Sequence, residues 1–377
     1  MTARRTGVAA LLATIALVAA GCDSSAAPAP ASTAAPSADG LGSAASGSGG
    51  RDGSGDEDDD KGEKPSEAPS GSAPAAPPPD PGPVRCPAAT REVSSADDLT
   101  TALAEAAPGD TIALADGTYT GKFVTTRSGT EKAPIFLCGG PGAVLDGGGI
   151  KAGYVLHLDG ASWWRLVGFT VRNGQKGVMA DRSQRSIIQG LTVTDIGDEG
   201  IHLRSFSSDN LVVGNTVRRT GLRREKFGEG VYIGSATSNW EKYSEGGPDR
   251  SDRNVVRGNS LSQFTAEGVD IKEGTTGGVL VDNVFDGSSI TEEGADSWVD
   301  VKGNNWLIQG NTGRNSPKDG FQTHNVEKGW GTGNVFRANT ATGVKAYGIA
   351  LTPVLGNRVA CDNSSTGGSG LSNVDCG

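Results

Sequence analysis

The sequence predicts an all-β fold, a parallel β-helix in which one strand-and-turn unit stacks on the next. Three observations predict it. A five-residue phrase recurs as Gly200-Ile-His-Leu-Arg204, Gly230-Val-Tyr-Ile-Gly234, Gly268-Val-Asp-Ile-Lys272, Trp298-Val-Asp-Val-Lys302 and Gly320-Phe-Gln-Thr-His324. A second phrase runs from Val167-Gly-Phe-Thr-Val171 to Arg337-Ala-Asn-Thr-Ala341, at intervals of 22, 24, 44, 24, 28 and 28 residues counted from Gly168. Between them lie short runs of Val, Ile and Leu broken by Gly, Asn and Asp. Periods in this range mark stacked supersecondary units, and β-branched strands without a leucine scaffold fit a β-helix rather than a leucine-rich repeat.

The elements follow in chain order. Arg4 and Arg5, an apolar run from Val8 to Ala20 and then Gly21-Cys22 resemble a bacterial lipoprotein signal, with Cys22 as the lipid acceptor. The run is short for a membrane-spanning helix. Residues 1–21 are therefore expected to be removed, leaving an exported protein anchored to the cell membrane and facing the extracellular or periplasmic space. Residues 22–85, rich in Ala, Ser, Pro, Gly and Asp with the acidic run Asp56 to Asp60, have too little apolar surface to offset ordering entropy, so a disordered tether is expected. Residues 86–377 form the solenoid domain.

Six of the 34 Lys plus Arg and eleven of the 44 Asp plus Glu fall in residues 1–85, which leaves residues 86–377 with a net charge of −5. That charge argues against a nucleic-acid partner. Past Cys22 four cysteines remain; proximity in sequence pairs Cys361 with Cys376 and leaves Cys86 with Cys138. Ser95 to Ala106 reads as an amphipathic helix with Asp97 and Asp98 in its first turn, suited to cap the open end of the stack. The column Asn215, Asn259, Asn283, Asn311, Asn339 is expected to be structural, each amide bonding the next coil. The long interval of 44 holds an insertion, about Ser235 to Arg253, whose Trp240 and Tyr243 either edge a sugar-binding groove or only pack.

In each five-residue phrase the second and fourth residues, apolar but for Thr323, point inward and the third and fifth outward. The outward positions form two columns: His202, Tyr232, Asp270, Asp300, Gln322, and Arg204, Gly234, Lys272, Lys302, His324. Neighbouring coils would set Asp270 beside Asp300 and Lys272 beside Lys302. Adjacent ammonium groups would lower one lysine pKa toward that of a general base, and paired carboxylates would attract a cation. The bland alternative is an exposed face of alternating ion pairs.

Residues 86 to 377 resemble the right-handed parallel β-helix proteins of the pectate lyase superfamily. The entry segment Pro108 to Tyr119 is similar to that of chondroitinase B and the family 6 alginate lyases. Glu267-Gly-Val-Asp270, Glu229 one coil earlier and Lys302 farther on resemble the calcium-and-lysine pattern of family 9 pectate lyases, though with glutamate for aspartate and Val269 for an aromatic. The resemblance implies β-elimination on an acidic, uronate-containing glycan. The base would be Lys302, or failing that Lys272, with His324 at the leaving oxygen. Calcium would sit among Glu229, Glu267, Asp270 and Asp300. Substrate would be held by Arg204, His202, Tyr232, Trp240 and Tyr243. A monomer is expected. A glycoside hydrolase using Asp270 and Asp300, and a glycan-binding or cell-envelope protein without catalysis, are the competing readings.

Overall fold

The computed structural model describes residues 82–377; the expected signal peptide, the Cys22 acceptor and the tether as far as residue 81 lie outside them. The described chain is a right-handed parallel β-helix. In most coils the chain passes in order through three parallel sheets of ten, eleven and ten strands, called here the first, second and third sheets. The coil from Ile201 is typical: Ile201–Arg204 lies in the first sheet, Leu211–Val213 in the second and Thr216–Arg218 in the third.

Inward residues close the core as the alternation requires. Ile201, Leu203, Val231, Ile233, Val269, Ile271, Val299 and Val301 are buried in one continuous cluster. Toward the C-terminal coils the filling becomes aromatic, with Trp298 5.7 Å from Phe321 and Phe321 6.4 Å from Phe336 between ring centroids. Glycine at the head of the first phrase has a steric reason. A Cβ at Gly200 would lie 2.6 Å from the Gly230 carbonyl oxygen of the next coil, so stacking at this distance excludes any larger residue.

The asparagine column is a hydrogen-bond ladder. Asn215 Nδ2 donates to Asn259 Oδ1 at 2.9 Å, Asn259 to Asn283 at 2.9 Å, Asn283 to Asn311 at 3.0 Å and Asn311 to Asn339 at 3.0 Å. Asn363 continues it. Each Oδ1 also accepts the preceding asparagine's backbone N–H, so a buried turn keeps its polar groups paired.

The helix Ala96–Glu105 starts where Ser95 Oγ accepts from Asp98 N and turns Leu99, Ala102 and Leu103 into the core. Disulfides join Cys86 to Cys138 and Cys361 to Cys376, the pairing expected from sequence. Chain ahead of Cys86 already engages the solenoid: Val84 N donates to Gln189 Oε1 at 2.7 Å and Gln189 Nε2 returns a bond to Val84 O at 2.9 Å. The insertion is pinned from below by Asp249, fully buried, which accepts from Ser205 N and Phe206 N, each at 2.8 Å, and from Ser235 Oγ at 2.7 Å.

Candidate active site

The insertion leaves the register of the first sheet intact. His202 pairs with Tyr232, Tyr232 with Asp270, Asp270 with Asp300 and Asp300 with Gln322, each across one coil. The column therefore stands as read from the sequence, but it is not an exposed face. His202, Asp270, Asp300, Gln322 and Lys302 point away from the core and are still buried, covered by one another and by the surrounding connections.

Along the two columns runs a chain of opposite charges. Lys272 Nζ lies 2.6 Å from Asp270 Oδ2, and Lys302 Nζ bridges Asp270 Oδ1 at 2.8 Å and Asp300 Oδ2 at 2.6 Å. His324 Nδ1 meets Asp300 Oδ1 at 2.8 Å. The expectation that neighbouring lysines would depress each other's pKa is corrected here. Burial does favour the neutral amine, but Asp270 outweighs it for Lys272, and Asp270 with Asp300 outweighs it for Lys302, so both pKa values rise. Burial likewise disfavours the Asp300 carboxylate, yet Lys302 and His324 hold its pKa below the usual range, and the bond to Asp300 raises that of His324.

Beside this chain is a stack of acids. Gly200 N bonds Glu229 O and Gly230 N bonds Glu267 O, which sets Glu199, Glu229 and Glu267 at equivalent positions of successive coils. Their neighbours differ. Glu199 sits 2.5 Å from Lys176 Nζ; burial opposes its charge, but His202 and Lys176 bring its pKa to about 2. Glu229 forms no ion pair among the described residues: burial first, then Glu199, Glu267 and Asp270, push its pKa well up against the weaker pull of Lys272. Burial and Asp270 raise Glu267 to about 8. One oxygen from each of Glu229, Glu267 and Asp270 lies within 4.8 Å of the others, and Glu229 Oε2 is buried without a hydrogen-bond partner among the described residues.

Mutually repelling hard oxygens with an orphaned lone pair fit a divalent cation such as Ca2+, which takes carboxylate ligands. Asp300 is not in this group: its oxygens lie against Lys302 and His324, one coil beyond the three carboxylates that come together.

Next to the acids opens a cleft of about 370 Å³, walled by the coils carrying His202 and Tyr232 and by the insertion from Ser235 to Tyr243. Arg204 donates to both oxygens of Asp181, at 2.7 and 3.1 Å, and lies 3.7 Å from the Tyr243 ring centroid. Burial opposes the Arg204 charge, yet Asp181 raises its pKa, so a fixed cation faces the cleft. His202 packs 4.3 Å from the Tyr232 ring, and its Nε2 must carry the proton because it faces the Gly234 carbonyl at 3.0 Å. Burial and the Lys176 charge lower its pKa. Lys272 Nζ lies 5.1 Å from the centroid of the Tyr232 ring.

Of the five residues expected to hold substrate, His202, Arg204, Tyr232 and Tyr243 line this cleft. Trp240 does not. Its ring is buried and its indole N–H is spent on Ser235 O at 3.0 Å, so it packs the insertion instead of meeting a ligand. Lys272, Lys302 and His324 lie beyond the cleft lining, Lys272 directly behind Tyr232. Lys176, Glu199, Arg223 and Asp198 line it without having been singled out as site residues. Arg223 forms a close pair with Asp198. For Glu199 the sequence carries one signal, its place before a glycine in line with Glu229 and Glu267.

The family described as "Pel9A-like, right handed beta helix region" matches residues 87–218. Among solved structures, an alginate lyase from Paenibacillus sp. str. FPU-7 is 36% identical with a TM-score of 0.71, over 76% of this chain and 99% of that one. Pectate lyase Pel9A, at 16% identity and a TM-score of 0.54 over 74% of this chain and 79% of its own, shares the fold. No curated sequence matches the chain significantly. With the coil architecture, the acid stack and a relative of more than a third identity along its whole length, the chain belongs to the right-handed parallel β-helix polysaccharide lyases.

Proposed function

We propose that the protein cleaves a 1,4-linked polyuronate of the alginate type by β-elimination. The observation that carries this reading is the juxtaposition of a cation-lined cleft with the Glu229, Glu267 and Asp270 carboxylates, on a chain 36% identical to an alginate lyase. In the reaction the proton leaves the carbon bearing the sugar carboxylate. Its electrons form the new carbon–carbon double bond, the neighbouring glycosidic bond breaks, and a proton reaches the departing oxygen.

Three demands follow. The substrate carboxylate must be neutralised, a base must take the proton, and an acid must meet the leaving oxygen. Arg204 and Lys176 face the cleft to receive the carboxylate. A Ca2+ ion held by Glu229, Glu267 and Asp270 would add to that neutralisation and relieve the carboxylate repulsion that holds the Tyr232 phenol well above its ordinary pKa after burial. Tyr232 rather than Lys302 is the base: it lines the cleft and accepts the proton as the phenolate, beside the Lys272 ammonium 5.1 Å from its ring, while Lys302 is locked between two carboxylates. Lys272, kept protonated by Asp270 and adjacent to Tyr232, is the acid. Lys302 and His324 hold Asp270 and Asp300 in place.

A hydrolase is disfavoured by the same geometry. Asp270 and Asp300, the carboxylates a hydrolase would use, share the Lys302 ammonium and are set against each other across one coil instead of flanking a space for the scissile bond. Incubation of the protein with polymannuronate, polyguluronate and pectate, with and without chelator, tests the reading. Ultraviolet absorbance of unsaturated products is expected on at least one of them. Reducing ends without unsaturation would instead establish hydrolysis.

Attachment through Cys22 to the cell membrane, with the cleft outside the cytoplasm, belongs to the same proposal and is supported by the Gly21-Cys22 box. A Cys22→Ser chain should appear in the soluble exported fraction and incorporate no labelled fatty acid.

A further inference from the structure

Outside the cleft, the four successive connections from the first sheet to the second build a separate cavity of about 430 Å³. Its floor is fixed by bonds between coils: Trp163 N donates to Gln184 O at 3.0 Å, Arg185 N to Ser208 O at 3.2 Å and Asp209 N to Asp252 O at 3.0 Å. Two bulky residues on it, Trp163 and Phe206, sit at φ 62° and 66°, a left-handed backbone that favours glycine or asparagine. Large rings held in that conformation on a rigid turn are a cue to function.

The charges there are unevenly matched. Arg250 pairs with Asp252 and Arg253 with Asp209. Arg185, exposed, has no carboxylate partner among the described residues, and its guanidinium lies 5.3 Å from the Trp163 ring centroid. A half-buried ring with two guanidinium groups near it, Arg185 and Arg165 at 5.9 Å, and no carboxylate on Arg185 among the described residues matches an acidic sugar, whose C–H face stacks while its carboxylate takes a charge-assisted bond. The insertion contributes to both hollows: residues between Ser235 and Tyr243 wall the cleft, and Arg250, Asp252 and Arg253 line the cavity.

We infer that Trp163 and Arg185 form an auxiliary binding subsite for a uronate unit of a long glycan whose reacting portion lies in the cleft. The ligand class rests on the proposed function; the subsite itself does not require turnover.

The test uses the full-length protein carrying Tyr232→Phe to prevent cleavage, titrated calorimetrically with uronate octamer, uronate disaccharide and a neutral octasaccharide. Arg185→Ala or Trp163→Ala is expected to weaken octamer binding about tenfold, the worth of one charge-assisted bond, and to leave disaccharide binding in the cleft unchanged. The neutral sugar should not bind at the subsite. Octamer affinity unaltered in both variants, or equal loss for octamer and disaccharide, would overturn the subsite. Thermal unfolding is recorded in parallel, and if Trp163→Ala unfolds, the exposed Arg185→Ala carries the test. A native protein that yields no unsaturated product while Arg185→Ala still loses octamer affinity would defeat the lyase reading and leave the subsite standing.

Discussion

The Lys302 ammonium lies 2.8 Å from Asp270 Oδ1 on the preceding coil, and both groups are buried. Because Asp270 also takes Lys272 at 2.6 Å, one carboxylate carries two ammonium groups in a largely dry sheet face. Removing a partner from such a pair leaves an uncompensated buried charge, whereas the intact pair is nearly balanced against its own desolvation. Asp270→Asn should therefore destabilise the protein by about 3–5 kcal/mol, measured by urea unfolding. A change within experimental error would mean the lysines find other partners.

Tyr232→Phe deletes one hydroxyl from the cleft and keeps the ring that packs against His202. The expected result is a loss of roughly 10²–10⁴ in kcat with unfolding unaltered, the range for removing a general base. Lys272→Met should lower kcat as well. If Tyr232→Phe retains full turnover, the base lies elsewhere.

Stability should depend on pH in a defined direction. Burial and Asp270 raise Glu267 from 4.5 in a free glutamate to about 8, so between those values the folded state binds more protons than the unfolded one. Glu229 shifts the same way. Stability contributed by these groups is thus present in full below pH 4.5 and lost as pH rises toward 8. Glu229→Gln or Glu267→Gln should flatten that decline in thermal melts made without divalent cation. Added Ca2+ should raise the melting temperature of the native protein most at the alkaline end, and less in either variant.

Asn283→Ala tests the ladder. It strips the Oδ1 that accepts both Asn259 N and Asn259 Nδ2, each at 2.9 Å. Each buried donor left without a partner costs about 1–3 kcal/mol, so a clear fall in unfolding free energy is expected. Turnover at a temperature where the variant stays folded should be unchanged, because the ladder lies away from the cleft.

Much of this molecule is determined by local pattern. Alternation of apolar and polar residues placed Ile201, Val231, Val269 and Val299 in the core and aligned His202, Tyr232, Asp270 and Asp300 outward, because a strand's period of two admits no other assignment once one face is buried. The asparagine column, the helix near Ser95 and both disulfides follow from equally local or countable signals. What only the tertiary structure decided is which partner each charge obtains. Side-chain reach across coils set Lys302 between two carboxylates, joined Glu229 and Glu267 to Asp270 and left Asp300 out. It also turned Tyr243 toward Arg204 while burying Trp240 three residues away. A pKa depends on those distances and on burial, neither of which is written in residue spacing, and so the lysines read as a base from their order are held as cations by their surroundings.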